Sequence, residues 1–138
     1  MDHHEDTIVD ISKQLERFFG CSGKMLKPSI ATVEGLICKI PRNKLITTDL
    51  LRKELAEQFN VQVTCPYDTK KALQAIANDS TKKVPFWRVI KTNGDLIAYF
   101  PGGRMGHTIL LSEEGFTVDT TGKVPRVRNF SGSLVQFG

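Results

Sequence analysis

Val84-Pro85-Phe86-Trp87-Arg88-Val89-Ile90, then Thr92-Asn93-Gly94-Asp95, then Leu96-Ile97-Ala98-Tyr99, is where a helical chain changes character. Asn-Gly between two apolar runs predicts a short β-hairpin, because a tight hairpin turn needs residues that tolerate positive φ. Pro101-Gly102-Gly103 breaks the chain again. A last helix is expected over residues 106–114, with Ile109 and Leu110 inward and Gly115 at its end.

Upstream of this stretch the periodicity is helical. Ile8, Ile11, Leu15, Phe18 and Phe19 recur at helical spacing and predict one amphipathic helix, stopped by Gly20 and the Ser22-Gly23 pair. A second helix is expected after Pro28, capped by Ser29 and burying Ile30, Val33, Ile37 and Ile40, with Pro41 ending it. Thr47 or Thr48 caps a third, carrying Leu50, Leu51, Leu55 and Phe59. Asp68 reads as the cap of a fourth over residues 69–77, with Ala72, Leu73 and Ile76 inward. Helices three and four, joined by a compact connection, form a helix-turn-helix pattern, which also occurs as a plain packing unit.

Length and charge set the class. A chain of 138 residues, 40% hydrophobic, suits one domain with its own core. No apolar run is long enough to span a membrane, and the acidic start Met1-Asp2-His3-His4-Glu5-Asp6 is unlike a signal peptide. Cys21, Cys38 and Cys65 are an odd count without CxxC spacing, as expected of reduced thiols in a cytoplasmic protein. His3, His4 and His107 are scattered, so no zinc site is expected, and nothing in the pattern calls for a cofactor. Residues 1–20 carry two basic and five acidic side chains, whereas residues 66–105 carry seven and three. The net +4 therefore hides a basic middle, which points to a polyanionic partner or to a solvated face.

Four pieces in order now matter together. They are Ile40-Pro41-Arg42-Asn43-Lys44-Leu45 with Thr47-Thr48, the Pro85-Phe86-Trp87-Arg88-Val89-Ile90 run with its Asn93-Gly94 turn, Gly102-Gly103, and Leu110-Leu111-Ser112-Glu113-Glu114-Gly115. Over residues 30–118 this set resembles the DNA-binding, active-site domain of the O6-alkylguanine-DNA alkyltransferases. That family carries Pro-Cys-His-Arg-Val-Ile, a short turn, Gly-Gly and a Leu-Leu-x-x-Glu-Gly helix. The resemblance implies a mainly α, winged-helix-like DNA-binding domain with a helix-turn-helix, a short β-hairpin and an extra N-terminal helix. Residues 1–27 then form an N-terminal helical extension, 28–118 the domain, and 119–138 a basic C-terminal tail.

The departures from the pattern decide the function that the resemblance implies. The acceptor cysteine is replaced by Phe86 and its histidine neighbour by Trp87, while Glu114 matches the motif glutamate. Phenylalanine has no nucleophilic atom, so alkyl transfer at this position is chemically excluded and no catalytic residue is assigned. Glu114 is then read as polar surface at the helix end. An aromatic in place of the cysteine resembles the alkyltransferase-like proteins, which bind and flip alkylated guanine and recruit excision repair.

The implied lesion pocket is Pro85, Phe86, Trp87, Arg88 and Phe100, although rings after a proline also pack as core. Arg88 is read as structural or phosphate-facing. Asn78 matches a hinge asparagine or is a plain helix end. Thr48 stands at the family's phosphate-rotating tyrosine and Thr69 at its stack-filling arginine. Neither substitution preserves those roles, and Lys70 and Lys71 beside Thr69 lack the planar guanidinium. Lys70, Lys71, Lys82, Lys83 and Lys91 would neutralise phosphates. The implied partners are duplex DNA, alkylated or not, and repair proteins, bound by a monomer. Two other functions remain open: an enzyme using Cys38 or Cys65, and a degenerate domain serving protein interaction.

Overall fold

The N-terminal apolar run divides in two in the structure, a computed structural model that describes residues 5–137. Thr7–Asp10 forms strand β1, and only Lys13–Phe19 forms helix α1. This corrects the single helix expected from Ile8 onward. The β-branched run Thr7-Ile8-Val9 favours an extended chain. Ser12 then starts the helix by accepting the Leu15 amide at 3.2 Å. Gly20 ends α1 in the left-handed region at φ +75°. His3 and His4 lie outside the described residues.

A second strand was not legible in the sequence. β2 (Lys24–Lys27) pairs antiparallel with β1, Asp10 opposite Lys24 and Thr7 opposite Lys27. Helix α2 (Ile30–Ile37) follows under its Ser29 cap, which accepts the Thr32 amide at 3.1 Å. Asp6 braces that cap from β1's side, accepting the Ser29 amide and the Thr32 hydroxyl, each at 2.7 Å.

The next two strand–helix pairs position the site. Strand β3 (Ile46–Thr47) runs straight into α3 (Thr48–Gln58), capped by Thr47. Strand β4 (Val63–Thr64) lies parallel to β2 and runs into α4 (Pro66–Asn78). Helix α4 starts earlier than expected: Cys65 is its N-cap, and Asp68 is buried in the first turn instead of capping it. Pro66 suits that first turn, where a missing N–H loses no hydrogen bond. Val33, Ile37, Leu51, Leu55, Leu73 and Ile76 of α2, α3 and α4 meet in the main core, each at most 2% exposed.

The expected hairpin is corrected. After a 3₁₀ turn over Phe86–Arg88, strand β5 (Val89–Ile90) pairs in parallel with β3, Ile46 opposite Val89. The Asn-Gly turn does form, with the Lys91 amide donating to Asp95 and the Gly94 amide to Lys91, at 3.0 and 2.8 Å. Beyond it the amides go elsewhere. Leu96 donates to the Pro125 carbonyl and Ile97 to the His107 ring, so no second strand runs back along β5.

Helix α5 (Gly103–Glu113) starts before Gly106, because Gly102 and Gly103 both adopt left-handed φ. A Cβ on Gly106 would meet the Pro101 carbonyl oxygen at 2.3 Å, so the close approach there requires glycine. The inward positions are His107 and Leu111; Ile109, expected inside, is 52% exposed. The segment expected as a tail is folded. Strands β6 (Val118–Asp119) and β7 (Arg126–Val127) form an antiparallel pair, and Leu134 bridges back to Leu45. Val127 joins Leu45, Ile90, Leu96 and Leu111 in a second core. Among the described residues no helix is long and apolar enough to cross a membrane.

Candidate nucleic-acid interface

The first turns of α3 and α4 and the turn at residues 91–93 enclose a cleft of about 490 Å³. Thr48, Thr69, Lys70 and Lys91, four of the residues anticipated for DNA contact, line it together. Arg52, Pro66, Leu73, Thr92, Asn93 and Tyr99 complete its walls and were missed. Arg52 was legible in principle, since it stands four residues after Thr48 on the same face of α3. Tyr99 was hidden by its place at the end of an apolar run. Arg52, Lys70 and Lys91 give the cleft three cations, and no carboxylate lines it. Asp49 sits just behind, accepting the Thr92 hydroxyl at 3.0 Å and tying the turn to α3. Burial pushes the Asp49 carboxyl up, but bonds from Thr47, Thr92 and nearby amides hold it below its ordinary value.

Inside the cleft the roles differ. Thr69 is only 1% exposed, and its hydroxyl donates to the Cys65 carbonyl at 2.8 Å, so it belongs to the floor. Lys70 reaches over Tyr99, its Nζ 5.2 Å from the ring centroid. Burial raises the Tyr99 phenol to about 12, against a small opposing pull from Arg52, so the hydroxyl stays protonated. Lys71 lies one step round the helix over the Tyr67 ring. Lys82 and Lys83 do not line the cleft: Lys82 pairs with Glu34 at 2.8 Å, and Lys83 is exposed. Asn78, the last residue of α4, donates to the Gln74 carbonyl within its own helix.

An aromatic ladder runs from the second core to the cleft. Phe86 is edge-on to Trp87 at 5.3 Å and to Phe100 at 5.0 Å, and Phe100 is edge-on to Tyr99 at 5.4 Å. Phe100 is buried, whereas Pro85, Phe86 and Trp87 are half-buried, Phe86 packed against the main core and Trp87 against the second. Beneath them His107 is fully buried. Its Nδ1 accepts the Ile97 amide at 3.0 Å and its Nε2 donates to the Trp87 carbonyl at 2.9 Å. Burial lowers its pKa to about 4, and the ring is neutral.

Arg88 faces inward. Its Nε and Nη2 donate to the two Glu114 carboxylate oxygens at 2.9 and 2.6 Å, and Nη1 donates to the Ile40 carbonyl at 2.7 Å. All three guanidinium nitrogens are thus committed to protein acceptors. Glu114 is 8% exposed, which corrects its reading as surface. The Arg88 bonds hold its carboxyl below the usual range against the opposing effect of burial. None of the free cysteines lines the cleft, and burial pushes the Cys65 thiol up, away from the reactive thiolate. Among the described residues no three His, Cys, Asp or Glu side chains cluster to hold a metal.

No protein-family model matches the chain, and no curated protein matches its sequence significantly. Solved structures do. S. pombe Atl1, in complex with damaged DNA containing O6-carboxymethylguanine, superposes with a TM-score of 0.58 at 22% identity. The fold is similar to that of Atl1. A second structure, S. pombe ATL in complex with DNA, gives a TM-score of 0.59, also at 22% identity. Each match covers 78% of this chain and 94% of the other. The shared feature is therefore a mainly helical fold with small sheets, Atl1 being an alkyltransferase-like protein.

Proposed function

We propose that this protein binds duplex DNA and recognises O6-alkylguanine without repairing it. Helices α3 and α4 act as the helix-turn-helix of a winged-helix-like domain, and the cleft cations neutralise phosphates. The lesion base, turned out of the duplex, stacks against Phe86 and Trp87. The observation that carries this reading is the aromatic ladder. It joins the position of the missing acceptor thiol, Phe86, to the basic cleft through Phe100 and Tyr99. Support comes from Atl1, of similar fold, which was solved with damaged DNA. Such a binder marks lesions for repair proteins and acts in the compartment where DNA is handled, as a monomer.

The absence of transfer is directly testable. Incubation with a duplex holding O6-methylguanine should leave the intact mass unchanged, because no side chain at this site can displace the alkyl group. A gain of one methyl group on the protein would assign it instead to alkyl transfer through Cys38 or Cys65.

A further inference from the structure

Helix α4 turns outward a face without a carboxylate. Asp68, Thr69, Ala72, Leu73, Ile76 and Ala77 are buried, which leaves Tyr67, Lys70, Lys71, Gln74 and Asn78 on the other side. Tyr67 stands at the middle of that face, in the first turn, and is 68% exposed. Lys70 lies on its cleft side, and the Lys71 ammonium sits 5.3 Å from its ring centroid. A large ring held in water between two lysines contributes little to the fold. Basic groups interleaved with an exposed aromatic are, however, the composition that grips nucleic acid by phosphate neutralisation and base stacking. Thr69, the α4 residue at the position expected to reach the stack, is committed to the floor of the cleft.

We propose that Tyr67 is the side chain that enters the DNA base stack, filling the space of a displaced or missing base. This rests on the reading of the protein as a duplex binder. The phenol ring is flat, stacks on any base, and has few rotatable bonds to immobilise. Lys70 and Lys71 on either side bring the flanking phosphates to it. Side chains inserted between base steps act in this manner in other DNA-bending proteins.

A duplex with one tetrahydrofuran abasic site offers a ready-made gap and requires no recognition of an alkyl group. The wild-type protein should bind it more tightly than the intact duplex. Tyr67→Ala should weaken abasic binding roughly 5- to 150-fold, the range for one stacked base, with a much smaller loss on intact duplex. Tyr67→Phe should keep the preference. Because the ring is mostly exposed, both variants should melt with the wild type. Wild-type affinity of Tyr67→Ala for the abasic duplex, or equal losses in the Phe and Ala variants, would overturn the proposal. Equal wild-type binding to both duplexes would overturn it too, leaving the protein a DNA binder, whereas no binding to either would overturn both readings.

Discussion

The Arg88 guanidinium grips Glu114 through two parallel hydrogen bonds, 2.9 and 2.6 Å, and spans to the Ile40 carbonyl with its third nitrogen. Three distant segments, the ends of α5, of the 3₁₀ turn and of the chain after α2, are thereby locked together. The side chains are 13% and 6% exposed, so the pair is largely out of water. Removing one partner of such a pair leaves the other charge buried. Arg88→Ala should cost about 3 kcal/mol and lower the melting temperature by roughly 10 °C. A loss under about 1 kcal/mol, typical of surface pairs, would show that the bridge does not hold these segments.

Protonation of His107 should destabilise the fold. Its folded pKa of about 4 lies below the ordinary 6.5, so between these values the unfolded chain binds the extra proton. Stability is therefore complete above pH 6.5 and falls as pH drops toward 4, by on the order of 3 kcal/mol. Glu114, whose pKa is depressed, contributes stability that is lost in more acidic solution still. Denaturant midpoints measured at pH 7 and pH 5 should differ clearly in the wild type. They should differ much less in His107→Gln, where the titrating ring is gone. Equal wild-type midpoints would show that the ring is not held neutral.

Binding to DNA should lose salt dependence one contact at a time. Arg52→Ala, Lys70→Ala and Lys91→Ala should each reduce the log–log salt slope by about 1 and weaken all sequences alike. Lys82→Ala should not, because that ammonium pairs with Glu34 outside the cleft. Unchanged slopes in the first three variants would place the DNA on another face.

The 91–93 turn depends on Gly94. A Cβ there would meet the Phe130 ring at 2.6 Å, at a φ of +90° that few side chains adopt. Gly94→Ala should therefore lose about 2 kcal/mol, shown by a thermal melt. A melt unchanged from wild type would mean that Phe130 moves aside freely.

Local signals carried the helices well, and long-range pairing escaped them. Ser29, Thr47 and Gly20 act on their own neighbours; residue type alone gave the roles of Ser29 and Gly20 and narrowed the cap of α3 to Thr47 or Thr48. Strand β2 was not, because Lys24-Met25-Leu26-Lys27 becomes a strand only by pairing with β1 and β4. The hairpin after Phe86 failed for the same reason: β5 finds a parallel partner in β3, distant in sequence. At the site, charge gave Lys70 and Lys91 and the family resemblance gave Thr48 and Thr69, while Tyr99 is brought in only by the turn preceding it. Lys82 and Lys83 lie outside the cleft that Lys70 and Lys91 line, a separation that charge alone does not reveal.

The most direct test of the account compares equilibrium binding to two duplexes that differ in a single O6-methylguanine, at one salt concentration. Stacking of the turned-out base on Phe86 and Trp87 predicts tighter binding to the lesion by roughly 5-fold or more, the least that one stacked base supplies. Phe86→Ala, provided that it melts cooperatively, should lose that preference while keeping its affinity for undamaged DNA. Equal affinity of the wild-type protein for the two duplexes would contradict the account.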